Sequence, residues 1–181
     1  LMNCLLELKN KNKIKNIGVS IQSPEELDFC LLNNNLNYIQ LPFNIIDHRW
    51  SKSIKKIIRV KKNRELFIHS RSIFLQGLLL SNNKKYWESA HIYNKNSLIK
   101  RLLNISKKLK LDNINELCIR YVLSQKWIDG VIIGMTKMSH IKNNLKFINR
   151  NSLSSTDLEF IDLNKPKVNL NTLNPTKWYK S

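Results

Sequence analysis

The feature that most constrains the fold is a fourfold alternation. Four short apolar runs, at residues 17–20, 38–41, 66–69 and 130–133, are each followed by a stretch whose apolar residues recur at helical spacing. Runs of four residues are too short for buried helices, whereas the intervening stretches repeat at i, i+3 and i+4. Parallel strands need a crossover to return to the same end of a sheet, and a helix supplies it. The expected class is therefore α/β, a parallel sheet with helices outside it.

Local signals mark where the helices begin. Ser23 is placed to cap a helix that opens with Pro24, Glu25 and Glu26, and Leu27, Leu31 and Leu32 share one face behind it. A basic helix over 52–62 turns Ile54, Ile57 and Ile58 inward. After the third strand comes an excursion over 72–96, too long for an ordinary βα connection and so a candidate functional loop. Helices are expected near 97–109 and 113–125, the second capped by Asp112 or Asn113 with Glu116 in its first turn. Another is expected over 139–147, then a short one capped at Ser154 or Ser155 with Leu158 and Ile161 inward. The tail, 166–181, has little periodicity and is expected to run over the surface. No repeat or linker divides the chain, so residues 1–181 read as one domain or part of one.

Composition excludes several function classes. With 42% hydrophobic residues, 4 Gly and 4 Pro the chain reads as globular. Cys4, Cys30 and Cys118 form no CxxC pair, and no other ligand spacing appears, so neither a disulfide framework nor a metal site is expected. A reduced, cytoplasmic setting is the expectation. No apolar run approaches the roughly 18 residues of a membrane span. The net charge of +18, from 31 Lys and Arg against 13 Asp and Glu, accompanies an excess of Asn and Ile, whose codons share A/T-richness with those of Lys. The basic residues are scattered rather than striped, so a solvated surface is expected, with neither nucleic acid nor membrane as a partner.

A polar or small residue ends each apolar run: Ser20, Gln40, Ser70 with Arg71, and Gly134. In a parallel barrel such strand ends converge on the face that carries the active site. A complete (β/α)8 barrel needs about 250 residues. At 181 residues the chain is short of that, and its first residue is Leu, so further chain upstream is expected.

Longer motifs carry a resemblance. KNIGVSIQSPEEL from Lys15 is similar to the fifth strand and helix of aldo-keto reductases, and YIQLPFNIIDHRW from Tyr38 resembles their sixth strand and its loop. HSRSIFLQGLLL from His69 resembles the loop after the seventh strand. DGVIIGMTKMSHIKNNL from Asp129 resembles the eighth strand and the phosphate-binding helix start, and LNPTKW from Leu173 resembles the usual ending. What this implies is a partial (β/α)8 TIM barrel, strands five to eight with their helices.

The same resemblance implies an NADP(H) site and a small-molecule carbonyl substrate. Ser20 and Gln40 fall where the family hydrogen-bonds the nicotinamide carboxamide, while Ile21 replaces the usual neighbouring Asn. Arg71 stands where many members stack an aromatic ring on the nicotinamide. Ser72, Phe74, Leu75 and Gly77 fall in the pyrophosphate clasp, and Gly134, Met135 and Thr136 precede the phosphate-binding helix. His140 replaces an Arg that faces the ribose 2′-phosphate, with Lys137 nearby, and Asn144 matches an adenine contact.

The family's catalytic Asp, Tyr, Lys and His belong to earlier strands, and Tyr38, Tyr86, Tyr93, Tyr121 and Tyr179 lie in no matching motif. No catalytic role is therefore assigned, and the segment alone is expected to be inactive. His48, His69 and His91 read as structural or surface residues, and Asp47 with Arg49 as a loop ion pair, in preference to a substrate-pocket rim. The alternatives are a non-catalytic nucleotide-binding protein or a basic nucleic-acid-binding one, the latter recognisable by salt-sensitive binding. A partial barrel exposes strand edges and apolar faces. The chain alone should accordingly be poorly soluble or dimeric, and a stable monomer in analytical ultracentrifugation would count against the partial-barrel reading.

Overall fold

Residues 1–179 are described in the computed structural model. The apolar runs form strands β1 (Gly18–Ser20), β2 (Tyr38–Pro42), β3 (Phe67–Arg71) and β4 (Gly130–Val131), parallel throughout and ordered β1-β2-β3-β4. Around them run α1 (Met2–Asn10), α2 (Pro24–Leu32), α3 (Ser51–Asn63), α4 (Lys84–Ser89), α5 (Lys95–Lys108), α6 (Ile114–Leu123), α7 (Met138–Ile148) and α8 (Ser155–Asn164).

Alternation along the strands divides the side chains between two faces. Ile39, Leu41, Ile68 and Ser70 are fully buried, in a core shared with Leu27 of α2, Ile57 of α3 and Leu117 of α6. The opposite, inner face is arranged in tiers: Gly18 beside Tyr38 and Phe67; then Ser20, Gln40, His69 and Gly130; then Pro42 and Arg71. Tyr38 stacks on Phe67 with ring centroids 4.8 Å apart and meets the His69 ring edge-on at 5.2 Å. Gly18 is required here, because a Cβ would lie 2.7 Å from that of Tyr38. Among the described residues no second layer covers this face: Gln40, His69 and Arg71 stay half-buried and Ser20 exposed.

Caps fix the helix starts. Ser23 accepts from the Glu26 N–H and Asn113 from that of Glu116, and Ser154 forms a capping box with Asp157. The long excursion departs from a simple loop. It holds a 3-10 turn at Leu78–Leu80 and the short helix α4, whose Trp87 is fully buried and donates to the Ser81 carbonyl at 2.9 Å. α5 starts at Lys95, capped by Asn94, slightly earlier than periodicity indicates. The tail is anchored rather than loosely laid: buried Thr172 donates to the Ala90 carbonyl at 2.8 Å and Trp178 donates to the Thr172 carbonyl at 3.0 Å. Lys180 and Ser181 lie outside the described residues.

Glu116 joins the last helices to the core. Its fully buried carboxylate accepts from the Asp112 N–H at 2.7 Å, from Arg120 at 3.0 Å and from Arg150 at 2.7 Å. Burial alone raises its pKa, but the Asp112 N–H, Arg150 and Arg120 outweigh that and hold it below the usual carboxylate value. A depressed folded-state pKa means the stabilisation is present above the unfolded value, about 4.3, and is lost as pH falls through the folded one. Glu116→Gln should flatten the acid limb of stability below about pH 4.3, and Glu116→Ala should cost roughly 3–5 kcal/mol because Arg120 loses its one carboxylate partner and Arg150 one of its two. Urea unfolding between pH 3 and 7 checks both.

Candidate active-site cleft

The carboxyl ends of the four strands lie along one edge of the sheet, and the chain leaves that edge through polar or small residues. Between the segments that follow β3 and β4 is a cleft of about 420 Å³, lined among others by Arg71, Ser72, Phe74, Gly77, Gly134 and Thr136. Its floor includes Ile132 and Ile133, the residues that continue β4.

The loop after β3 has an unusual backbone. Ser72 (φ 58°), Leu75 (φ 49°), Gln76 (φ 56°) and Gly77 (φ 81°) all adopt the left-handed conformation, which costs roughly 1–2 kcal/mol at a residue with a Cβ. The fold offsets this by burying Ile73 and Leu75 and closing two turns, Leu75 N–H to the Ser72 carbonyl (2.8 Å) and Leu78 N–H to the Leu75 carbonyl (3.0 Å). The Tyr86 hydroxyl of α4 donates to the Gln76 carbonyl at 2.8 Å. Among the described residues the N–H groups of Gln76 and Gly77 have no protein acceptor. Strained, anchored loops with free donors are typical of ligand clamps.

The residues singled out from the sequence are distributed unevenly. Ser20 and Gln40 are cross-strand neighbours on the inner face, and the Ser20 hydroxyl donates to Gln40 Oε1 at 3.3 Å. Leu75 contributes backbone only, its side chain lying in the core. Met135, Thr136 and His140 are exposed around the start of α7, whose N-cap residue Lys137 makes no side-chain cap, leaving first-turn N–H groups toward solvent. Asn144 is buried and accepts from Asn115 Nδ2 at 3.2 Å, so an outward contact requires it to leave that partner.

Gln22 is a functional candidate that sequence reasoning missed. Ile21 turns into the core, and Gln22 presents its amide at the mouth instead, accepting from Arg71 at 2.7 Å. Arg71 also donates to the Ile21 carbonyl at 3.1 Å. Partial burial, then the neighbouring Arg49, lowers the Arg71 pKa, with Glu26 opposing. Arg49 itself is paired with buried Asp47 at 2.7 Å and donates to the Gln22 carbonyl at 3.3 Å. The signal for Gln22 was faint: an amide side chain one residue beyond the strand end.

The profile of the aldo/keto reductase family matches residues 1–163. The chain belongs to the aldo/keto reductase family. It is similar in structure to the aldo-keto reductase AKR11C1 from Bacillus halodurans in its holo form, with TM-score 0.68 and 19% identity over 90% of this chain and 54% of that one. The glycerol dehydrogenase AKR11B4 from Gluconobacter oxydans gives TM-score 0.58 and 21% identity over 87% and 51%. The chain thus spans about half the length of these solved relatives, and its four parallel strands match about half of their (β/α)8 barrel. No curated protein sequence matches it.

Carbonyl reduction by an aldo/keto reductase needs a proton donor, and a tyrosine, an aspartate and a lysine do meet in this chain. The Tyr121 hydroxyl donates to Asp162 at 2.7 Å and receives Lys165 Nζ at 2.9 Å. Burial, reinforced by Asp162, pushes the phenol pKa upward, opposite to what a proton donor at neutral pH requires. Tyr121 is 2% exposed, its ring stacks on Phe43 at 5.9 Å, and the cluster ties α6 to α8. It is structural. In the cleft, Gly77→Ala should lower stability by about 1 kcal/mol through its positive φ alone, since a Cβ there meets nothing within 4 Å. Thermal unfolding measures it, and an unchanged melting temperature would mean that the loop relaxes.

Proposed function

We propose that this chain forms strands five to eight of an aldo/keto reductase barrel and holds NADP(H) for reduction of an aldehyde or ketone. The observation that carries the proposal is the cleft beside Arg71, Ser72, Phe74, Gly77, Gly134 and Thr136, at the carboxyl edge of a parallel sheet in a chain of this family. The residues present fit a dinucleotide. Gly134 has open space where a Cβ would stand, and the Gln76 and Gly77 N–H groups lack acceptors, as a pyrophosphate requires.

Ser20 and Gln40 are placed to exchange their mutual hydrogen bond for contacts to the nicotinamide carboxamide. The uncapped start of α7, with Lys137 and His140, suits the 2′-phosphate, since a helix N-terminus favours an anion. The dinucleotide, when bound, supplies the hydride. The proton donor then has to come from the remaining strands of the barrel, whose side chains would also cover the open inner face.

NADPH titration followed by Trp fluorescence, on this chain alone and joined to the rest of the barrel, tests the proposal. The joined form should bind with a dissociation constant on the order of micromolar, about tenfold more weakly after Gln40→Ala, and NADH should bind less well than NADPH. Absence of binding by both forms would reject the cofactor role.

A further inference from the structure

Resting on that reading and extending it to the substrate, we infer that Arg71 receives an anionic group, so that the preferred carbonyl compound carries a carboxylate or phosphate.

Arg71 is the last residue of β3 and lies on the inner face, paired in register with Pro42. Its hydrogen bonds run to Ile21 and Gln22, at the end of β1. Since β2 lies between β3 and β1, these bonds carry the guanidinium across the mouth of the sheet toward β1, while Arg71 also lines the cleft beside Gly134 and Thr136. All its acceptors are neutral: the Ile21 carbonyl, Gln22 Oε1 and, at 3.5 Å, the Ser72 hydroxyl. Among the described residues it forms no ion pair.

The neighbouring carboxylates are already engaged. Asp47 accepts two hydrogen bonds from the Arg49 guanidinium, 3.0 and 2.7 Å, and a third from the Arg49 backbone N–H at 3.1 Å, and Glu26 accepts the Gln22 N–H at 2.5 Å. Gln22 therefore separates two guanidinium groups of which one is neutralised and the other is not. A guanidinium has five N–H donors, and the protein accepts from three of those on Arg71. A half-buried charge with neutral tethers and spare donors is positioned without being compensated. An anionic oxygen completes it, with charge-assisted hydrogen bonds about twice as strong as neutral ones.

Ring stacking, the role that resemblance assigns to this position, is a poorer account. The tethers to Ile21 and Gln22 fix the guanidinium by its edge, and a cation gains little beside a ring that becomes cationic on oxidation.

The test uses the whole barrel and two independent readouts. Calorimetric titration with succinate and with inorganic phosphate, in the presence of saturating NADPH, should show binding that Arg71→Gln weakens roughly ten- to a hundred-fold and Arg71→Lys weakens less. In parallel, the kcat/KM ratio of succinic semialdehyde over butanal, and of glyceraldehyde 3-phosphate over glyceraldehyde, should fall by a similar factor in Arg71→Gln. Whichever pair responds more strongly identifies carboxylate or phosphate as the group.

An Arg71→Gln protein that loses NADPH affinity as much as succinate affinity would assign the guanidinium to the cofactor and overturn the inference. So would unchanged ratios in a folded variant. If the unsubstituted protein does not bind NADPH, titration with the anions alone still decides Arg71, so failure of the cofactor reading and failure of this one are separable.

Discussion

The pairing of β2 with β3 is the constraint on which the rest of the structure depends. Five residues of each are in register, from Tyr38 with Phe67 to Pro42 with Arg71, whereas β1 and β4 attach through three and two. This pairing buries Ile39, Leu41 and Ile68 completely, each worth roughly 1.5–3 kcal/mol of hydrophobic stabilisation. It also fixes parity. With Ile39 and Ile68 directed at the helices, Gln40, His69 and Arg71 have to face inward, and a slip of one residue would reverse both sets.

The strained loop after β3 is held by contacts that begin far away in the chain. Trp178, in the tail, meets the Tyr86 ring edge-on at 5.4 Å, and the Tyr86 hydroxyl holds the Gln76 carbonyl. Thr172, which accepts from Trp178 through its carbonyl, is itself fastened to Ala90 beyond α4. The tail, α4 and the loop therefore form one support, so the left-handed residues at 72–77 do not relax to cheaper conformations. A cleft wall of that kind is preformed, and preformed donors lose little entropy on meeting a ligand.

Much of the fold was legible because burial leaves a period. Leu27 in α2 and Ile57 in α3 are buried as their spacing indicates, and Ser23 caps as its position before Pro24 implies. The exceptions share a physical cause. Leu31 and Leu32 share the helical face of Leu27, yet Leu32 is 83% exposed, since periodicity does not tell which neighbour is present to cover a side chain. Gln22 was missed because its importance lies in a bond to Arg71, 49 residues away. Tyr121 shows the converse: its meeting with Asp162 and Lys165 is invisible in sequence and, once seen, is structural. Of the expected site residues Ser20, Gln40 and Arg71 lie at strand ends and His140 lies on α7, while Leu75 and Asn144 are buried, where a motif marks the position and only packing decides the direction.

An inner face with stacked Tyr38 and Phe67, a half-buried His69 and two strands each paired on one side is the surface of a barrel interior seen from within. The chain spans about half its relatives' length, and under the proposed function this geometry would divide labour, with ligand-holding groups here and proton transfer elsewhere. The most direct test of that division is hydrogen–deuterium exchange read by mass spectrometry on the complete barrel, with and without NADPH. The account predicts slowed exchange in peptides containing residues 72–77 and 134–140, with α2 and α3 unchanged; protection confined to α2 and α3, or none at 72–77, would contradict it.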